Sequence, residues 1–235
     1  MLKTLILFDI DGTLCHIRGA GREAKARAMV EMFGTDQNVR EHPFGGKTDW
    51  QILHELLTGY GQDTSQIASV MAAFEKRMAE HLEAIIHTFP TEACVGAHDL
   101  VNTLRAMPDV VMGIVTGNTS QTAPIKLRAV GFDVSMFVAN AYGSESRTRN
   151  ALPTLAIERA RRITGYDFQP HEVIVIGDTV ADIECARAAG AIAVAVQTGF
   201  EAVSLLEQAQ PDYLLKDLTS FLDSVPLVQP HTRNA

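Results

Sequence analysis

The sequence predicts an α/β protein, a doubly wound parallel sheet with a small all-helical domain inserted near its start. Three observations lead there. Continuous apolar runs, LILF at 5–8, VVMGIVT at 110–116, EVIVIGD at 172–178 and AIAVAV at 191–196, have the length and composition of strands buried on both faces. Helical periodicity alternates with these runs over the second half of the chain, which implies parallel strands joined by crossover helices. Between the first run and the second, by contrast, the patterns are helical alone.

Taken in order, the first strand ends on Asp9, and Asp11-Gly12-Thr13 then turns the chain sharply. Gly19 and Gly21 loosen the connection, and REAKARAMVEMFG at 22–34 puts Ala26, Met29, Val30 and Phe33 on one helical face, with Gly34 placed to end it. Residues 35–47 are polar and turn-rich. Thr48 or Asp49 then caps a helix carrying Ile52, Leu53, Leu56 and Leu57, stopped by Gly59 and Gly61. From Thr64 or Ser65 to about Phe89, apolar residues recur at Ile67, Met71, Phe74, Met78, Leu82 and Ile85, the spacing of a long core-facing helix that Pro90 terminates.

A helix over 97–107 precedes the second strand. Thr116-Gly117-Asn118-Thr119 ends that strand and caps a helix running to Gly131; SMFVAN at 135–140 reads as a third strand and 151–164 as a helix. After the strand at 172–178 come a helix over 180–189, the strand at 191–196, and weaker pieces at 202–208, 213–215 and 218–225. The division expected is a core domain of 1–15 and 92–225, a helical domain of 16–91 joined by linkers near 15–20 and 88–92, and a tail at 226–235 expected to fray.

Bulk properties narrow the function. A formal net charge of −8 with no cluster of Lys and Arg argues against coating nucleic acid. Cys15, Cys94 and Cys185 are scattered and include no C-x-x-C, so neither a disulfide framework nor a zinc site is indicated. That usage fits a reducing cytoplasm. Met1 leads directly into the first strand and no apolar run approaches a membrane span. The expectation is a soluble cytoplasmic protein, a monomer or small homo-oligomer, with neither membrane nor nucleic acid as partner. Its eight histidines lack metal-ligand spacing, and only His16 lies close to the Asp-rich turn.

Ligands of open α/β sheets bind outside the carboxyl ends of the strands, and there Asp9 and Asp11 stand one residue apart. Two such carboxylates suit a hard cation, and one could attack an electrophile; an ordinary turn with solvated carboxylates is the plain alternative. FDIDGT at 8–13 resembles the first motif of the haloacid dehalogenase-like phosphohydrolases. GIVTGN at 113–118 is similar to that family's second motif, with Thr116 as the phosphoryl-binding residue and Gly117 and Asn118 beside it on the substrate. IGDTVAD at 176–182 is similar to the fourth motif, with Asp178 and Asp182 matching its two acidic positions.

The resemblance implies a Rossmann-like core under a mobile helical cap and a magnesium-dependent phosphatase. Asp9 would be the nucleophile through an aspartyl-phosphate and Asp11 the acid and base. The metal would rest on the Asp9 side chain, the Asp11 carbonyl and the Asp178 side chain, with Asp182 in support. The family's usual lysine is missing between Lys126 and Lys216, which leaves Arg147 and Arg149, of which Arg149 is nearer the helix that follows. A sugar-phosphate mutase or a non-catalytic phosphate-binding or regulatory protein could use the same scaffold. The substrate expected is a small phosphorylated metabolite, and Lys47, between Gly46 and Thr48 in the turn-rich loop, is the best candidate to meet a second anionic group on it, ahead of Arg18 and Arg22.

Overall fold

The computed structural model describes residues 3–36, 38–61 and 67–227. β1 (Thr4–Phe8) is followed by a short strand, β2 (Cys15–Ile17), and by helices α1 (Ala20–Phe33), α2 (Asp49–Gly59) and α3 (Ile67–Ile85). β3 (Thr91–Ala93) runs back antiparallel to β2, and α4 (Ala97–Arg105) leads into β4 (Val110–Thr116). Then follow α5 (Thr122–Ala129), β5 (Ala141–Tyr142), α6 (Leu152–Thr164), β6 (Val173–Gly177), α7 (Val180–Ala188), β7 (Ile192–Val196), α8 (Val203–Gln208) and β8 (Tyr213–Leu215). The main sheet is parallel throughout, in the order β5-β4-β1-β6-β7-β8.

β1 is central because all five of its residues are buried and both its edges are paired. Side chains alternate across the pleat, so Ile6 and Phe8 join Ile114, Ile174 and Val194 in one apolar layer, while Leu5 and Leu7 join Val115, Val175 and Ala193 in the other. Connections diverge on either side of β1, to β4 and to β6, and the crevice this opens at the carboxyl edge is where a doubly wound sheet receives its ligand.

Helices α1 to α3 enclose a third apolar cluster, built on Met29, Leu53, Leu56, Phe74 and Met78 among others. One backbone and one side-chain device set their ends: Gly34 takes φ 73° behind α1, and the Thr48 hydroxyl accepts from the Gln51 N–H at the start of α2. The connections into and out of this unit, expected to be plain linkers, are the paired strands β2 and β3, with Cys15 opposite Ala93 and Ile17 opposite Thr91. Three residues per strand are too few to show a period.

Several local expectations are corrected. α1 begins two residues earlier than expected, and Val30 is 49% exposed, because the helix also buries Ala20, Ala24 and Lys25 on a second side. The strand expected at 135–140 is a 3₁₀ turn over Val134–Met136, with strand pairing confined to β5. Asp133 caps that turn, and the Asn140 side chain accepts from the Ile114 N–H at 3.0 Å in place of a ladder partner. The start of α3 expected at Thr64 or Ser65, and the tail beyond residue 227, lie outside the described residues.

Hydrogen bonds and close packing at the start of α2 help to seat the helical unit on the sheet edge. The first-turn N–H groups of α2 donate to the core, Asp49 to the Gly117 carbonyl at 2.8 Å and Trp50 to that of Gly143 at 3.0 Å. The Thr48 hydroxyl donates to the Arg147 carbonyl at 3.1 Å. Gly46, at φ 70°, presses onto Ala181, where a side chain on that loop would collide.

Candidate active site

Asp9 leaves the sheet but keeps its backbone in it, since its N–H donates to the Ile176 carbonyl at 2.9 Å. The residue is only 5% exposed. Its Oδ1 lies 3.1 Å from Arg149 Nη2, and both that oxygen and Arg149 Nε are buried without a hydrogen bond. Burial pushes the Asp9 carboxyl up to about 6 despite Arg149, with Asp182 and Asp11 adding to the rise and the Thr116 hydroxyl opposing it.

Asp11 sits within the tight turn closed by the Thr13 N–H on the Ile10 carbonyl, next to Gly12, which has φ 86°. Lys126 Nζ lies 2.8 and 2.6 Å from its two oxygens, and Asn118 Nδ2 donates to Oδ2 at 2.7 Å. Although burial works the other way, the Lys126 charge and these bonds hold Asp11 below the usual carboxylate range. Asn118 also donates to Thr116 Oγ1 at 2.8 Å, which ties the end of β4 to the turn after β1.

Asp178 follows β6 and receives the Thr13 hydroxyl at 3.3 Å. Burial drives its carboxyl well above the normal range, and the charges of Asp182 and Asp9 drive it further. Asp182 is committed differently: one oxygen pairs with Arg149, and the other accepts from Thr179 N at 3.0 Å and Thr179 Oγ1 at 2.6 Å, a capping box at the start of α7. Arg149, delivered by a 3₁₀ turn ahead of α6, therefore bridges Asp9 and Asp182, whereas Arg147 lies with its guanidinium 5.9 Å from the Trp50 ring.

Carboxylate oxygens of Asp9, Asp178 and Asp182 come within 4.8 Å of one another. Two buried carboxylates, both pushed toward protonation by desolvation and mutual repulsion, are the environment a divalent cation would relieve. The surroundings are also shaped for it, because a Cβ on Gly12 or Gly199 would overlap the Asp178 carboxylate. These donors fit magnesium. With the oxygens of Asp182 already taken, Asp9 and Asp178 are the side chains that would hold it.

Above these groups opens a cavity of about 760 Å³, roofed by Lys25, Phe44, Lys47, Met78 and Leu82 from the helical unit and flanked by Phe200 and Leu205. Lys47 lines it, but its Nζ is paired with Glu55 at 2.6 Å. Lys25 is buried against Asp49, with Nζ 4.2 Å from the centre of the Phe44 ring. His16 lies outside the cavity wall, edge-on to Phe200 with ring centres 5.6 Å apart. Lys126 and Lys25 are the residues sequence reasoning missed. Lys126 could have been suspected from its position between the apolar Ile125 and Leu127 on the first helix after Thr116-Gly117-Asn118, although that helix is capped at Gln121 and not at residues 116–119 as expected.

Acidic side chains and a buried cation gathered at the carboxyl edge of a doubly wound sheet, beneath a helical insertion, define a Rossmann-like α/β enzyme. The family model for haloacid dehalogenase-like hydrolases matches residues 3–190. The chain belongs to that family. It is 29% identical to the phosphoglycolate phosphatase of Synechococcus elongatus over 220 residues, covering 94% of this chain and 96% of that protein. It is 27% identical to the validoxylamine A 7'-phosphate phosphatase of Streptomyces hygroscopicus subsp. limoneus over 216 residues, covering 91% and 93% of the two chains. Among solved structures, a hydrolase from Pseudomonas syringae superposes with a TM-score of 0.68 at 23% identity, covering 94% of this chain and 97% of that one.

Proposed function

We propose that the protein is a magnesium-dependent phosphatase that hydrolyses a small phosphorylated metabolite through a phosphoryl group carried on Asp9. The observation that carries this reading is the buried Asp9 carboxylate, with an oxygen free of hydrogen bonds, facing Thr116, Arg149 and a second carboxylate, Asp11. The phosphatases among its relatives support it.

An Asp9 oxygen attacks phosphorus, and the bond to the leaving oxygen breaks as Asp11 protonates that oxygen. Water, losing its proton to Asp11, then attacks the phosphoryl group and displaces the Asp9 carboxylate, so that orthophosphate leaves and both residues are restored. Lys126 keeps Asp11 ionised in the free site; an arriving phosphate competes for Lys126 and raises the proton affinity of Asp11, which takes a proton from solvent before donating it and returns one to solvent after orthophosphate leaves. Thr116 and the Gly117-Asn118 turn hold non-bridging oxygens, and Arg149 neutralises nucleophile and phosphate together. Magnesium, held by the side chains of Asp9 and Asp178 and the carbonyl of Asp11, would supply charge that offsets the repulsion between two anions. On the same reading residues 16–91 form a cap over a core of 1–15 and 92–225, and the leaving group meets the cap. Among the described residues no helix is long and apolar enough to cross a membrane.

Hydrolysis of an aryl phosphate with and without magnesium tests the reading. Exhaustive chelation is expected to abolish turnover and added magnesium to restore it; a rate that survives chelation contradicts the proposal. Asp178→Ala is expected to raise the magnesium concentration for half-maximal rate by at least about tenfold, since even outer partners of a metal site cost ~10–100-fold.

Lys47 provides a test of the leaving-group side. Lys47→Ala is expected to raise KM several-fold for a substrate with a second anionic group and to leave an uncharged aryl phosphate nearly unchanged. Equal effects on the two substrates would remove Lys47 from the specificity site.

A further inference from the structure

The middle of α3 buries a charged residue, Glu75, that is 8% exposed. Three donors converge on its Oε1, all from core loops: the Ser120 hydroxyl, the Gln121 backbone N–H at 2.9 Å and the Ser144 hydroxyl at 3.3 Å. Gln121 is the N-cap of α5, so the carboxylate also faces the positive end of that helix. The donors belong to the segments just beyond Thr116-Gly117-Asn118 and Tyr142-Gly143, and those same segments offer the Gly117 and Gly143 carbonyls to the first turn of α2. The contact is thus reciprocal. Helix α2 of the insertion is capped by core carbonyls, and helix α5 of the core is capped by a carboxylate of the insertion.

A buried carboxylate that takes three donors from another part of the chain is a strong tie while it is made and a costly one to leave unmade. The same insertion supplies Lys25, Phe44, Lys47 and Met78 to the cavity wall, so this tie joins the leaving-group side of the cavity to the core. We propose that Glu75 is a positioning residue: it latches the insertion onto the N-terminus of α5 and thereby sets the affinity for the leaving group while the phosphoryl machinery stays intact. This rests on the phosphatase reading for its kinetic arm alone.

The protein carries a reporter of the latch, because its single tryptophan, Trp50, sits on the seam, its N–H bonded to Gly143. In Glu75→Ala, Trp50 emission is expected to shift to the red and become more accessible to acrylamide, and the Trp50 and Gln121 amides to exchange faster, with amides inside α3 unchanged. Observed affinity falls in proportion to the closed fraction, so KM for a bulky sugar phosphate should rise about five- to twentyfold with kcat within about twofold. Acetyl phosphate, which needs no contact with the insertion, should keep its kcat/KM. Glu75→Gln retains an accepting oxygen without the charge and should fall between wild type and Glu75→Ala. Should the alanine variant fail to fold, Ser144→Ala removes one donor and should move Trp50 in the same direction.

An unchanged Trp50 in a folded Glu75→Ala protein overturns the latch, and so does an equal loss of activity on both substrates, which would mark a merely structural residue. If wild-type protein turns over no phosphate ester, the phosphatase reading fails, and the fluorescence and exchange measurements still decide the latch.

Discussion

Asp9→Asn is expected, on the mechanism proposed, to lower kcat by about a thousandfold or more, on the order of 4 kcal/mol of transition-state stabilisation, because an amide cannot serve as the covalent nucleophile which that mechanism places at the end of β1. The same variant should be more stable than the wild type. Burial pushes the Asp9 carboxyl up to about 6, so at neutral pH the folded state holds a charge that the unfolded state solvates better. The sign follows: a group whose folded pKa lies above its unfolded value costs stability once the pH exceeds the unfolded value, and the neutral amide removes that cost. Relief should raise the melting temperature, by ~2–4 °C for each kcal/mol recovered in a chain of this size. Single-turnover kinetics and thermal denaturation at neutral pH check both halves. A variant that keeps more than about a hundredth of the wild-type kcat would remove Asp9 from the nucleophile's role.

Arg149→Ala is expected to be the most damaging substitution in the site for both activity and stability. The guanidinium is buried between Asp9 and Asp182, and removing it leaves carboxylates that come within 4.8 Å of one another without their cation. Breaking a buried pair from one side costs about 3–5 kcal/mol, and a three-carboxylate cluster belongs at the upper end of that range. A melting temperature lowered by about 10 °C or more is expected, together with a kcat reduced by at least about a thousandfold. Arg149→Lys should recover most of the stability but little of the rate, since an ammonium restores charge without the fork that bridges two carboxylates. An Arg149→Ala protein that melts with the wild type would show that the pair contributes nothing to the fold.

Six of the residues the structure gathers around Asp9 and Asp11, namely Thr116, Asn118, Arg149, Asp178, Asp182 and Gly117, were legible in the chain through its resemblance to the family's motifs, and the fold brings them together for one physical reason. Each lies at or just beyond the end of an apolar run or at the start of a helix, and strand ends in a parallel sheet converge whatever the intervening lengths. Lys25 and Glu75 were not legible and Lys126 was passed over despite its apolar neighbours, because a charged residue on a helix ordinarily marks the solvated face. Only packing shows that Lys126 points at Asp11, that Lys25 is buried against Asp49 and that Glu75 meets α5. The strands β2 and β3 escaped for want of length, and the expected third strand misled because SMFVAN is apolar enough for the sheet while Asp133 and Asn140 supply side-chain bonds that bend it into a turn.

The central position of β1 has a consequence for how the protein is made. The strand leaves the ribosome well before its neighbours β4 and β6, which are synthesised roughly a hundred and more residues later. Until then TLILF is an unpaired apolar segment on a nascent chain, the kind that chaperones shield and that aggregates when they do not. The helical unit emerges next and encloses an apolar cluster of its own, so it can collapse while β1 still waits. Once it has, the paired strands at its base bring residue 15 beside residue 93, and a span that a random coil would have to close at large entropic cost is already short when β4 arrives.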